Sequence, residues 1–316
     1  MINSISYWSM PDGLDGTCPI EDALVLAQAA GFEGLELCIG TSGVLTPDTT
    51  PAECNRIRAA IDAAGLTVQS LASGMSWSNN PVSDDRSIRV RSIHLHEQAL
   101  QRAAWLGCEA LLFVPGVVNS PIAPDESVPY EIAVERARHA VGRLLETAER
   151  TGVDLCLENV WNGLFLSPIE LAGFIDSFDS SHLGIYFDAG NVMRYHQSPP
   201  HWIKFLGDRI KRVHVKGFSE DFAAGRYAFC DLGEGDVPWQ QTMSALNEIG
   251  YDGTIVAEVI PHSPGLLERT QAALEEICEL GRQAVVGRRI DQSHTSIART
   301  KDASLVGATR PSKEHG

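Results

Sequence analysis

An alternation of short β-rich runs with longer helical patterns, running from the first residues to about Gly287, predicts an α/β protein with a single closed (β/α)8, or TIM, barrel. Two further observations point the same way. "AAGFEGLEL", "AAGLTVQSL" and "EIGYDGTIVAEV" each end a helix on a glycine and enter a strand within two to four residues, the short connection such units need. The length, 316 residues, also suits one barrel of about 250 residues with its loops and a tail.

Taken in order, the strands are expected at 4–8, 34–38, 67–72, 110–115, 154–159, 183–188, 210–216 and 254–259, with helices filling the gaps. Several helices announce their ends. Thr50 and Pro51 precede "AECNRIRAAIDAA" and Gly65 follows it, Ser167 and Pro168 precede "IELAGFI", and Gly107 closes a run that begins near Asp84. "LGEGDVPW" is expected to be a turn into a helix beginning near Trp239, and its acidic pair argues against a phosphate cradle. The barrel is therefore assigned to residues 1–286. Residues 287–316, with six basic against three acidic residues and no apolar period, are expected to form a polar, flexible C-terminal tail. A disordered appendage is the plainer interpretation of the tail; packing on a neighbouring subunit is the other, so a homo-oligomer stays open.

Composition narrows the function. With 44% hydrophobic and 21% charged residues the chain is an ordinary globular one, and no apolar run approaches the roughly 18 residues of a membrane span. The start, "MINSISYWSM", lacks the basic and apolar regions of a signal peptide, so a cytoplasmic location is expected. Seven scattered cysteines without a C-x-x-C pair suggest reduced, structural thiols. A formal charge of −16 opposes any broad phosphate-backbone footprint, so nucleic acid is excluded as a partner.

The chemistry is sought where the strands end, because their C-terminal ends line a barrel's mouth. Strands five to eight end in Glu158, Asp188, His214 and Glu258. Three carboxylates converging on one mouth repel each other, and a buried charge costs several kcal/mol unless compensated. A divalent cation removes that conflict. Mostly carboxylate oxygen with one nitrogen suits octahedral Mn²⁺, with Mg²⁺ or Co²⁺ as alternatives, better than a tetrahedral zinc site built on thiolates. Around it, Lys216 shares a strand face with His214 and is placed to hold a substrate oxygen or phosphate. Asn191 is a candidate substrate hydrogen-bonder or a loop cap, and Trp161 a cover for a ligand's apolar face or a wedge in its loop. His94 and His96 sit two apart on a helix and are expected to be solvated; His182, His196, His201 and His262 have no partner at ligand spacing.

"LENVWN", "FDAGN", "RIKRVHVKG", "LGEGDVPW" and "GYDGTIVAEV" together resemble the sugar-phosphate isomerase/epimerase superfamily with xylose-isomerase-like barrels, over roughly residues 1–285. Within it the chain is most like the L-ribulose-5-phosphate 3-epimerases and related ketose 3-epimerases. The resemblance implies a carbohydrate substrate and one divalent metal ion on Glu158, Asp188, His214 and Glu258. It also implies that Glu158 and Glu258 are the two catalytic acid/base groups. The reaction expected is epimerisation, or isomerisation, of a keto-sugar or keto-sugar phosphate through a cis-enediolate. Epimerases of free sugars usually place a histidine where this chain has Asn191, and their arginine lies further along than Lys216; "DAGN" with "HVK" is more like the phosphopentose enzymes.

The main alternative is a metal-dependent lyase on the same barrel, a keto-polyol dehydratase or a C-glycoside-cleaving subunit. An apurinic endonuclease would need further histidines after strands three and four, where the chain reads "SLASGMSW" and "LLFVPGVV". A non-catalytic sugar-binding protein is disfavoured by the presence of both glutamates.

Overall fold

The computed structural model describes residues 1–283. Eight parallel strands close into a barrel in the order β1 (Ile2–Ser6), β10 (Thr254–Ala257), β7 (Ile210–Val215), β6 (Leu183–Asp188), β5 (Asp154–Glu158), β4 (Ala110–Phe113), β3 (Ser70–Ser73) and β2 (Gly34–Ile39). The helices between them are α1 (Ile20–Ala30), α2 (Pro51–Ala64), α3 (Arg86–Leu106), α4 (Tyr130–Thr151), α5 (Pro168–Asp176), α7 (Pro199–Leu206) and α8 (Trp239–Glu248), with α9 from 266 to at least 283. The predicted barrel is borne out. The tail assigned to 287–316 lies outside the described residues, as do 284–286 of the predicted barrel segment.

The predicted helix signals act as expected. Thr50 Oγ1 accepts from the Glu53 N–H while the Glu53 carboxylate accepts from the Thr50 N–H, a reciprocal cap, and Gly65 ends α2 with φ of 67°. Ser167 accepts from the Glu170 N–H at the start of α5, and Gly107 closes α3, whose cap is Asp85. Each such end satisfies backbone groups that a helix leaves unpaired. It also fixes where the following strand enters the barrel.

Several strand limits differ from the expectation. β1 stops at Ser6 because Ser6 Oγ accepts from the Trp8 N–H and turns Tyr7–Ser9 into a 3-10 turn, which carries Trp8 to the mouth. β3 begins at Ser70, since Thr67 makes only an isolated bridge to Gly34. β4 ends at Phe113. Two elements were not expected: a short helix α6 (Ala189–Met193), capped by Asp188, and an antiparallel hairpin of β8 (Gly217–Asp221) and β9 (Arg226–Cys230) that stands apart from the barrel sheet.

Burial does not alternate along the barrel strands. β2, β3, β4 and β6 are buried along their whole length, as strands enclosed by helices on one side and a filled lumen on the other must be. His96 corrects the sequence reading. It is fully buried, its Nδ1 faces the Ser92 carbonyl at 2.8 Å, its Nε2 meets Ser73 Oγ at 3.1 Å, and Phe113 packs edge-on 4.7 Å away. His94, by contrast, is exposed as expected. Two residues apart on α3, they lie on different faces, and only one face meets the barrel.

Candidate active site

The four predicted ligands converge. Glu158 and Asp188 are the last residues of β5 and β6, His214 is the fifth residue of β7, and Glu258 directly follows β10. One ligand atom from each lies within 4.8 Å of all the others, and all four side chains are buried. Neighbouring strands make this possible, because β5, β6, β7 and β10 are consecutive around the barrel and Asp188 pairs in register with His214.

Second contacts fix the ligands in place. Asn159 clamps the ends of β5 and β6: its Oδ1 accepts from the Asp188 N–H and its Nδ2 donates to the Asp188 carbonyl, both at 2.9 Å. Asp188 Oδ1 accepts from the Asn191 N–H at 2.8 Å, and Asn191 Nδ2 reaches Glu158 Oε1 at 3.4 Å. Asp188, not Asn191, is therefore the cap of this turn, and the Asn191 side chain lies beside the cluster. Gly190 is required here: a Cβ on it would lie 2.4 Å from Lys216 Cγ.

One functional residue escaped the sequence reading. Glu36 on β2 is 1% exposed and accepts from His214 Nε2 at 2.8 Å, from Ser70 Oγ at 3.0 Å and from the Tyr186 hydroxyl. β2 and β7 are not neighbours, so this contact crosses the barrel lumen. With Nε2–H given to Glu36, the ring presents Nδ1 to the cluster. Nδ1 is buried without a hydrogen-bond partner, 3.2 Å from Glu258 Oε2, 3.7 Å from Glu158 Oε1 and 3.9 Å from Asp188 Oδ2. A buried, oriented nitrogen among three carboxylates fits a hard divalent cation with one imidazole ligand.

Lys216 points into the mouth, as its spacing from His214 predicted, but its ammonium is engaged. Nζ lies 2.6 Å from Glu258 Oε2 and 2.9 Å from Asp188 Oδ2, and 5.1 Å from the centre of the Phe229 ring. The electrostatics are correspondingly uneven. Burial pushes Glu158 up to about 7, and His214 and Lys216 only partly offset it. Burial also works against the Glu258 charge, but Lys216 and His214 outweigh it and hold that carboxyl down at about 2. Burial raises Asp188 too. His214 is held well above its ordinary value because Glu36, Glu158 and Glu258 overcome its desolvation.

Above the cluster opens a cavity of about 310 Å³, lined on one side by Glu158, Asn191, Lys216 and Glu258. Trp161 forms part of its wall, stacked on Phe229 of the hairpin at 4.5 Å and 17°, with its Nε1–H donated to the Asn191 carbonyl at 3.2 Å. Trp161 therefore lines the cavity and ties its loop to α6. The unassigned histidines serve elsewhere. His182 meets Asp154, His196 meets Glu220 of the hairpin, and His262 Nδ1 faces the Ser9 carbonyl.

Known proteins give this geometry a context. The chain is 24% identical over 258 residues to a D-psicose 3-epimerase of Ruminiclostridium cellulolyticum, covering 80% of this chain and 81% of that one. It is 22% identical over 244 residues to a putative L-ribulose-5-phosphate 3-epimerase of Haemophilus influenzae, covering 76% and 83%. It is 26% identical over 189 residues to an uncharacterised protein of Methanocaldococcus jannaschii, of which it spans 60% while using 57% of its own length. Its fold matches the crystal structure of D-psicose 3-epimerase with D-tagatose from Clostridium cellulolyticum H10 with a TM-score of 0.74 at 20% identity, covering 89% of this chain and 99% of that one. Residues 24–280 match a single family description across most of the barrel, and the chain belongs to the xylose isomerase-like TIM barrel family.

Proposed function

We propose that the protein is a divalent-metal-dependent 3-epimerase of a keto-sugar, with Glu158 and Glu258 as its acid/base pair. The observation that carries this reading is the placement of two glutamates, at the end of β5 and directly after β10, both lining one cavity, with Asp188 and His214 buried beside them within the same cluster. The likeness to a D-psicose 3-epimerase and to a putative L-ribulose-5-phosphate 3-epimerase supports it.

Glu158, Asp188, His214 and Glu258 would hold the ion, Mn²⁺ foremost, with Mg²⁺ or Co²⁺ as alternatives. An ion held by these residues would supply Lewis acidity to the reacting carbonyl and hydroxyl of the sugar. One glutamate takes the C3 proton and the other returns a proton to the opposite face, so that the intermediate between the two transfers is a cis-enediolate. Which glutamate is the base depends on the epimer bound. Glu36 holds the His214 ring in orientation, and Asn191, beside Glu158, offers an amide to a substrate oxygen. Trp161 and the hairpin exclude water from the reacting carbon.

The test is deuterium wash-in from D₂O, screened over ketoses and ketose phosphates with Mn²⁺ and followed by NMR at C3. Exchange at C3 with inversion is expected. Loss of water or cleavage without C3 inversion would favour the lyase reading, and activity that survives exhaustive chelation would remove the metal from the mechanism.

A further inference from the structure

We infer that the substrate's end remote from C3 is uncharged and apolar: a keto-sugar deoxygenated or alkyl-capped at its distal carbon, rather than a sugar phosphate. The inference rests on the epimerase reading for the position of C3 and on the cavity for everything else. Apart from Glu158, Asn191, Lys216, Glu258, Ser73 and Gly74 the cavity lining is apolar, and it includes Trp8, Trp77, Ile122, Val160, Trp161 and Ile260. These come from loops after β4, β5 and β10 and from the 3-10 turns that follow β1 and β3, so the apolar character is not the property of one segment.

A phosphate in that space would need donors or cations to replace its hydration. Among the described residues Lys216 is the only Lys, Arg or His lining the cavity, and its ammonium already faces Glu258 and Asp188. The adjoining cavity of about 290 Å³ contributes His262 but also the Asp231 carboxylate, so it does not supply a cationic pocket. A methyl or methylene at the distal end instead removes apolar surface from water; Ile122, 59% exposed, is the wall residue with most to gain.

The experiment compares a 6-deoxyketohexose, the parent ketohexose, its 6-phosphate and a ketopentose 5-phosphate, using the full chain with Mn²⁺. Two readouts run in parallel: kcat/KM for C3 deuteration, and tryptophan fluorescence, which reports binding directly because Trp8, Trp77 and Trp161 line the cavity. The deoxy sugar should exceed the parent by about tenfold and the phosphates by about a hundredfold in both. Ile122→Arg, at a position open enough to accept the change, should narrow the gap to the phosphates by about tenfold. Phosphates bound or exchanged as well as the deoxy sugar would overturn the inference and leave the epimerase reading standing. A fluorescence preference for the deoxy sugar without exchange at C3 would uphold the inference and remove the epimerase reading. No response to any of the four sugars would overturn both.

Discussion

The two halves of the barrel have the same architecture and different chemistry. β1, β2, β3 and β4 end in Ser6, Ile39, Ser73 and Phe113, whereas β5, β6, β7 and β10 end in or next to Glu158, Asp188, His214 and Glu258. The first half supplies much of the cavity's apolar wall, through Trp8, Trp77 and Ile122, and one buried carboxylate, Glu36, that works from beneath. The carboxylates thus gather in one half, and the other half contributes apolar surface to the cavity beside them. A barrel permits this division because strand ends share one mouth while their loops vary independently.

The largest effect should come from the second half. In Glu158→Gln and Glu258→Gln, turnover is expected to fall by a hundredfold to ten-thousandfold, on the order of what general acid or base catalysis contributes. Product formation and C3 deuteration, followed separately at saturating Mn²⁺, should diverge. The variant lacking the base for a given epimer loses exchange, while the other keeps some exchange without inversion. Near-normal turnover in either variant would take that residue out of the mechanism.

Glu36→Gln asks whether the first half takes any part in holding the ion. Replacing the carboxylate that orients His214 should weaken Mn²⁺ binding by about 10- to 100-fold. Calorimetric titration measures it, and an unchanged Kd would confine the metal site to the second half.

His96 should make the first half sensitive to acid. Burial, partly offset by the Ser92 carbonyl, lowers its pKa to about 4 from the ordinary 6.5. Below 6.5 the unfolded chain takes up a proton that the folded chain refuses until about pH 4. The stabilisation is therefore complete above pH 6.5 and is lost as pH falls toward 4, amounting to about 3 kcal/mol. Denaturation of wild type and His96→Asn at a series of pH values should show a slope shallower by one proton in the variant. Parallel slopes would mean that His96 titrates normally. The smallest effect belongs to an exposed pair such as Arg209 with Asp176, where Asp176→Asn should cost at most about 1 kcal/mol of stability and leave kcat/KM unchanged.

Which parts were readable in the sequence follows from the range of the interactions. The eight barrel strands and the four cluster residues were legible because each is local: an apolar run with a charged or imidazole residue at its end. Lys216 followed from its spacing to His214, and Asn191 from the family resemblance. Glu36 was not legible, since one charged residue within "GLELC" is ordinary and its partner lies 178 positions away. His96 failed for a related reason; its burial depends on Ser73 and Phe113 in β3 and β4. The β8–β9 hairpin was missed because its strands are largely exposed and lack an apolar core face, and the turn at Gly225, φ of 63°, carries no Asn-Gly or Asp-Gly signature.

The hydrogen bond from His214 to Glu36 also bears on the order in which the molecule comes together. It joins the second strand of the chain to the seventh, while Glu258 lies beyond the last barrel strand. A growing chain that has emerged only through β7 can orient the imidazole yet still lacks a ligand, and one released before 258 never gains it. An ion bound as proposed would therefore distinguish a chain that reaches Glu258 from any product that ends before it. At ion concentrations of a hundred times Kd it would stabilise a folded chain carrying all four ligands by about 2.7 kcal/mol, a margin that products ending before Glu258 would lack.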